Sequence, residues 1–231
     1  MIIVMLGPPG AGKGTQCQLL AERLLLPHVA TGNLLREAVA RQTPLGRLAQ
    51  PYLERGELVP DETMVGLVRE RLLEPDAKPG AILDGFPRTV EQARALNHML
   101  FELGRKVDQV LYLRIPVEVV LDRIAGRYTC PCCGATYHLT SSPPKVAGRC
   151  DRCGAALIQR TDDRRDVALR RMQVYAAQTA PVVTFYREEG VLVEIDGAQP
   201  VERVLDDELE ALESSALIPD PESTEATWQH S

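Results

Sequence analysis

Short unbroken apolar runs alternate with longer amphipathic stretches along this chain. Ile2–Leu6, Pro27–Ala30, Ala81–Asp84, Gln109–Ile115 and Val191–Asp196 read as strands buried on both faces, since a half-exposed strand would alternate apolar and polar positions. Between them the apolar residues recur at helical spacing. Gly10–Leu25 places Cys17, Leu20 and Leu24 on one face, and Asp61–Leu73 opens on a Pro–Asp start signal. Val90–Leu103, Val117–Gly126, Asp166–Glu188 and Val201–Leu212 complete the predicted helices. This order predicts an α/β fold, a parallel sheet covered by helices with right-handed crossovers.

Three segments break the alternation. Thr31–Val59 is helical and strandless, which makes 30–59 an insertion. Tyr128–Ala156 carries five of the cysteines and reads as a small β-rich insertion, with outer bounds 127–163. Ser214–Ser231 is rich in Pro, Ser, Thr and Glu and is expected to be a disordered tail after a domain spanning 1–213.

Composition adds limits. The 231 residues, 45% of them hydrophobic, suit one main domain with room for insertions. No stretch approaches a membrane span and no signal peptide precedes the first strand, so a cytoplasmic protein without a membrane partner is expected. The net charge of −6 gives no overall basic field for nucleic acid. A polyanionic ligand would therefore need a local cluster of arginines.

The strongest chemical signal lies at the start, where Ile2–Leu6 runs into Gly7-Pro-Pro-Gly-Ala-Gly-Lys13-Gly-Thr15. Strand, glycine-rich loop and helix in that order, with Gly7, Gly12 and Lys13 at this spacing, fit a P-loop of the P-loop NTPase-like class. Glycines let backbone N–H groups turn inward. With the positive end of the helix dipole, those groups form an anion nest. Lys13 adds a mobile charge for the outer phosphates. Gly14 stands where Ser or Thr is usual, and Thr15 follows.

Asp84 ends the apolar run Ala81–Leu83 and opens Asp84-Gly-Phe-Pro-Arg88-Thr, with Gln92 beyond. A carboxylate ending a strand beside the P-loop strand is a Walker-B arrangement, suited to Mg²⁺ held through water. Arg88 then falls at the carboxyl edge of the sheet, where open α/β folds bind ligands.

Cys130-Pro-Cys-Cys133 and Cys150-Asp-Arg-Cys153 form a third signal. Their spacing lies in the range of a four-cysteine zinc site, and Gly134 and Gly154 follow as knuckle turns require. The expected ion is a structural Zn²⁺ held by Cys130, Cys133, Cys150 and Cys153. Disulfides and free thiols are the alternatives, and an expected cytosolic setting disfavours the former. Cys132 is a rival ligand, although the two-residue gap favours pairing Cys130 with Cys133. Cys17 reads as a small buried residue.

Taken together, Gly7–Thr15, Thr31-Gly-Asn-Leu-Leu-Arg36, Asp84–Thr89 and Arg160-Thr-Asp-Asp163 resemble the adenylate kinase family, and the cysteine-bearing insertion resembles that of its bacterial zinc-lid members. The resemblance runs from Met1 to about Leu212. It implies ATP, AMP and ADP as partners, Mg²⁺ with ATP, and a monomer. Gly10, Ala11, Gly12, Lys13, Gly14 and Thr15 would hold the ATP phosphates. Arg123 and Arg127 at the root of the lid, Thr136 and Tyr137 within it, and Gln199 would complete the ATP side. Thr31, Arg36, Glu57, Leu58, Val59, Gly85, Phe86, Pro87, Arg88 and Gln92 would take AMP. Arg160 and Arg171 would bridge the two phosphate groups. By this resemblance Lys13, Arg88, Arg127, Arg160 and Arg171 are the catalytic cations. Asn33 stands where the family usually has aspartate, and Tyr128 where it usually has arginine.

The chemistry this implies is in-line phosphoryl transfer. The acceptor phosphate is already anionic, so positioned cations matter more than a base. His28, His98, His138 and His230 share no ligand spacing. The other readings are a kinase for another nucleoside monophosphate, or a P-loop regulator whose zinc ribbon binds nucleic acid. Arg149 and Arg152 around Asp151 make no basic–aromatic patch, which counts against the regulator.

Overall fold

A computed structural model describes residues 1–140, 142–160 and 163–218. Five parallel strands form the central sheet: β1 (Ile2–Leu6), β2 (His28–Ala30), β3 (Ala81–Asp84), β4 (Gln109–Arg114) and a last strand, β7 (Leu192–Asp196). Their spatial order is β2-β3-β1-β4-β7. Strands added after β1 thus lie first on one side of it and then on the other. That reversal opens a crevice at the carboxyl ends of β1, β3 and β4.

The apolar runs are explained by burial on both faces. Ile2, Val4 and Leu6 point into one core with Ala81, Leu83 and Val110. Ile3 and Met5 point into the other with Ile82, Leu111 and Leu113. The first core is closed by α2 (Thr31–Ala40), α3 (Pro44–Arg55), α4 (Asp61–Leu72), α5 (Val90–Glu102) and α8 (Ala180–Glu188). The second is closed by α1 (Lys13–Leu24), α6 (Val117–Ala125), α7 (Arg165–Val174) and α9 (Val201–Ser214).

Both insertions have local causes. Helices α2 and α3 occupy most of the 30–59 insertion, without a strand. Thr43 caps α3 by accepting from the Gly46 N–H at 3.0 Å, and Pro44 occupies its first turn. A Cβ on Gly46 would lie 2.0 Å from the Ala38 carbonyl oxygen, so only glycine lets the two helices approach this closely. The cysteine insertion holds the short antiparallel pair β5 (Arg127–Thr129) and β6 (Thr136–His138). Its own small core contains Cys130, Ala135, Tyr137 and Cys150.

Two helical expectations needed adjustment. The predicted helix over Asp166–Glu188 is divided into α7, a π-helical turn at Tyr175–Thr179, and α8. Pro181 lies in the first turn of α8, where it cannot continue the preceding ladder of hydrogen bonds. At the other end, α9 runs to Ser214, and Leu217 and Ile218 pack half-buried against the second core. The rest of the segment expected as a tail, 219–231, lies outside the described residues. No helix among the described residues is long and apolar enough to cross a membrane.

Candidate active site

The loop after β1 turns through Gly7, Gly10 and Gly12, all at positive φ, into the N-terminus of α1. Gly10 is constrained twice, since a Cβ there would also lie 2.8 Å from the Ile124 side chain. Ala11 is buried, while Gly14 and Thr15 face outward to differing degrees. The Lys13 ammonium donates to the carbonyls of Gly7 at 2.7 Å and Pro8 at 2.9 Å, folding back over the loop. Burial lowers its pKa to about 8; the Arg88 and Arg171 cations push the same way and Asp84 opposes them.

Asp84 ends β3, in register with Met5 of β1 and Ala30 of β2. Its Oδ2 lies 3.2 Å from His28 Nε2. Burial alone would raise the Asp84 carboxyl, but the His28 hydrogen bond and the Lys13 and Arg88 cations hold it below its ordinary value. It is therefore an ionised carboxylate beside the phosphate loop. The next residue, Gly85, has φ +79, and a Cβ there would lie 2.8 Å from Arg88 Nη2. The guanidinium can fold back over the turn, its Nε donating to the Gly85 carbonyl at 2.7 Å, only because Gly85 has no side chain.

Two adjoining pockets occupy the crevice. One is lined by Thr31, Arg36, residues 56–59, Met64, Gly85 and Gln92 among others. The other is lined by the phosphate loop, Lys13, Pro87 and the π turn through Tyr175 and Thr179. Arg88 and Arg171 line both. Phe86 is wholly buried beneath this wall.

Neighbours that the sequence did not reveal hold these groups. Gln92 accepts from the Arg88 backbone N–H at 2.7 Å and donates to Asp61 Oδ1 at 2.7 Å; Asp61 Oδ2 also accepts from Thr89. Asp163 is almost wholly buried. It takes a forked pair of hydrogen bonds from Arg127, Nε to Oδ2 at 2.8 Å, and a further one from Arg171 Nη1 at 3.4 Å. Arg160 donates to the Thr129 hydroxyl at 3.0 Å. Arg123 ties the phosphate loop to the loop after β7 through the carbonyls of Ala11 and Gly197. Gln199, in that loop, donates to Asp207. Arg36 donates to Asn33 Oδ1 at 2.7 Å, so the neutral amide still anchors this arginine. Asp61 showed in the sequence only as a helix start and Asp163 only as the end of the Arg160–Asp163 motif, neither with a role, because their partners lie far along the chain.

The four cysteines come together as expected. Cys130 and Cys153 Sγ lie 3.4 Å apart, Cys133 and Cys150 3.5 Å, and Cys133 and Cys153 3.7 Å. Thiolates around one tetrahedral zinc, with Zn–S near 2.3 Å, stand about 3.8 Å apart, so the donor set fits that ion. The knuckles match each other: Gly134 N–H donates to the Cys130 carbonyl and Gly154 N–H to the Cys150 carbonyl, both glycines at φ +73. All six cysteines are free thiols and Cys132 is exposed outside the quartet. Tyr137 is turned into this centre, its hydroxyl accepting from Asp151 N–H at 2.8 Å and meeting Cys150 Sγ at 3.4 Å. Thr136 is exposed. The cysteine insertion also meets the core, with Arg152 3.5 Å from Glu22 on α1.

Comparison with known proteins shows the family. The adenylate kinase family model matches residues 5–191. An adenylate kinase of Moorella thermoacetica is 51% identical over 205 residues, covering 89% of this chain and 94% of that protein. One from Archaeoglobus fulgidus is 49% identical over 204 residues, 88% of this chain and 94% of its own length. One from Symbiobacterium thermophilum is 48% identical over 215 residues, 93% of this chain and all of its own.

Proposed function

The chain belongs to the adenylate kinase family, and on that premise we propose how its residues divide the work. The reaction is reversible transfer of the terminal phosphoryl group of ATP to AMP, giving two ADP. In our reading ATP takes the pocket of the phosphate loop. The N–H groups of Gly10–Thr15 and the Lys13 ammonium bind its phosphates, and Arg123, Arg127, Thr136, Tyr137 and Gln199 complete that side. AMP takes the flap pocket, with Thr31, Arg36, Glu57, Leu58, Val59 and Gly85–Arg88 around it.

The observation that carries this reading is that Arg88 and Arg171 line both pockets. Two planar cations on a shared wall can hold donor and acceptor phosphates together and spread the charge of the transferring group. Arg160 joins them from the lid. Gln92 holds the Arg88 backbone through one end of its amide, which gives it a positioning share beside its contact with AMP. Adenylate kinases use Mg²⁺ with ATP, and here Asp84 would hold it through water, where it would offset donor phosphate charge.

Water is the competing acceptor, and a closing lid excludes it. The lid's own core is small, so a structural zinc on the four thiolates would cross-link it without entering the reaction. A cytoplasmic monomer with no nucleic-acid or membrane partner completes the proposal. A coupled assay across a panel of nucleoside monophosphates tests it. AMP should give the highest kcat/KM, and a clear preference for another monophosphate would overturn the assignment of the flap pocket.

A further inference from the structure

Beside the phosphate loop lies a cluster that the reaction does not use as a whole. Cys17 on α1, His28 on β2 and Asp84 at the end of β3 bring Sγ, an imidazole nitrogen and a carboxylate oxygen within 4.8 Å of one another. Three elements that pack directly on each other supply them. Strands β2 and β3 are paired, with His28 opposite Ile82 and Ala30 opposite Asp84, and α1 lies against β3. We propose that Cys17, His28 and Asp84 form a second metal site, one that takes a borderline-soft divalent cation such as zinc and blocks the magnesium–nucleotide position.

The donors suit such an ion. Thiolate, imidazole and carboxylate are the three ligand types of zinc sites, and three protein ligands with one open position make a site accessible to outside molecules. With metal–ligand bonds of about 2.0–2.3 Å, donors around a tetrahedral ion stand about 3.3–3.8 Å apart. His28 Nε2 and Asp84 Oδ2, at 3.2 Å, are already close to that spacing. Sulfur and nitrogen or oxygen donors would stand about 3.5 Å apart, so from within 4.8 Å the Cys17 sulfur needs a shift of up to about 1.3 Å, within reach of a side-chain rotation.

The Asp84 carboxylate adjoins the phosphate loop at Gly14. Gly14 is exposed, and among the described residues outside its own helical turn Asp84 Oδ2 is the heavy atom that a Cβ placed on it would meet, at 3.4 Å. A side chain is missing where one would cover the carboxylate, so an ion can reach it from the nucleotide side. His28 and Asp84 keep 20% and 16% of their side chains exposed, while Cys17 is fully buried behind them. On binding, the Cys17 S–H proton leaves to the buffer and the metal–sulfur bond takes its place. Lys13 and Arg88 repel a dication here, which makes this site weaker than the four-thiolate lid. Magnesium, a hard ion that avoids sulfur and nitrogen, would not recruit Cys17 or His28.

The binding half of the proposal stands on geometry alone; the blocking half rests on the ATP pocket assigned above. The test uses the full chain with Cys132→Ser, its lid loaded with zinc, free of nucleotide and dialysed against buffered zinc. The parent should hold about two zinc ions per chain, and Cys17→Ala and His28→Asn about one each. Zinc binding at the second site should release a proton in the parent and none in Cys17→Ala. Zinc should inhibit the parent in a way that added MgATP relieves, and Cys17→Ala should keep its basal activity and escape the inhibition. A parent that stops at one ion, or a second ion kept by Cys17→Ala or by His28→Asn, overturns the site. Two ions without inhibition overturn the blocking role, and neither result touches the assignment of the nucleotide pockets.

Discussion

Asp163 grips Arg127 through both carboxylate oxygens. The acid is almost fully buried in the lid's root and the arginine sits at the start of β5. The same carboxylate also receives Arg171 from α7. One buried charge thus fixes two of the cations assigned to the phosphates. Asp163→Asn keeps the shape but loses the charge that aligns both guanidinium groups. Misplacement of such groups can cost about 10²-fold in rate. We expect kcat/KM to fall by roughly that factor with KM for both nucleotides raised. Steady-state kinetics beside circular dichroism check this; a variant that folds and turns over normally would show that the arginines hold themselves.

Lys13→Ala and Arg88→Ala should each lower kcat/KM by about 10²–10³-fold, the usual worth of a transition-state charge contact. The first should impair ATP and the second AMP, read from the two KM values separately. Near-normal kinetics in either folded variant would remove that residue from the site.

Lys13 also gives a pH profile. Its ammonium titrates near pH 8 in the free protein, so kcat/KM for ATP should fall as pH rises through about 8. Bound phosphates favour the ammonium, so the fall in kcat at saturating ATP should come at higher pH. A kcat/KM flat to pH 9.5 or so would contradict the role of that cation.

Much of this site could be read from local spacing. The phosphate loop, Asp84–Arg88 and the two cysteine knuckles are each contained in a few consecutive residues, because one turn of backbone makes the feature. The central strands were legible because burial on both faces leaves apolar runs such as Ile2–Leu6. Asp61, Asp163 and the His28–Asp84 pair were not, because their roles depend on residues brought near only by the sheet order. The inward turn of Tyr137 could not be read either, since Thr136–His138 alternates its faces and only the knuckle's packing decides which one is inside. Nor could the packing of Leu217 and Ile218, two apolar residues in a polar stretch.

Glu208 is another group that sequence alone would place on a helix surface. It is wholly buried in α9, and neither carboxylate oxygen has a hydrogen-bond partner among the described residues. Burial, helped by Asp207, pushes its carboxyl up to about 8. The folded state therefore holds a proton that the unfolded chain releases near the ordinary 4.5. Stability from this group is present below pH 4.5 and is lost as pH rises toward 8. Glu208→Gln should remove that dependence, so its melting temperature relative to the parent should improve from pH 5 to pH 8. A constant difference across that range would count against a buried, protonated Glu208.

In the lid, Cys130→Ser, Cys133→Ser, Cys150→Ser and Cys153→Ser should each weaken metal retention, and Cys132→Ser should leave the lid ion in place. Loss of the ion should lower thermal stability while some activity remains at low temperature, since the phosphate-binding side chains lie outside the thiol cluster. Metal analysis of the five variants, set against their melting curves, decides it. A lid ion lost only in Cys132→Ser would overturn the ligand set.

The central claim is that two nucleotide pockets meet at the wall formed by Arg88 and Arg171. Calorimetry with two adenosines joined by five phosphates addresses it most directly, because one molecule would then fill both pockets and the second contact becomes intramolecular. Binding should be far tighter than that of ATP or AMP alone, and Arg88→Ala should erase most of the gain. Affinity no better than that of ATP would mean that the pockets do not act as one site, and would contradict the account.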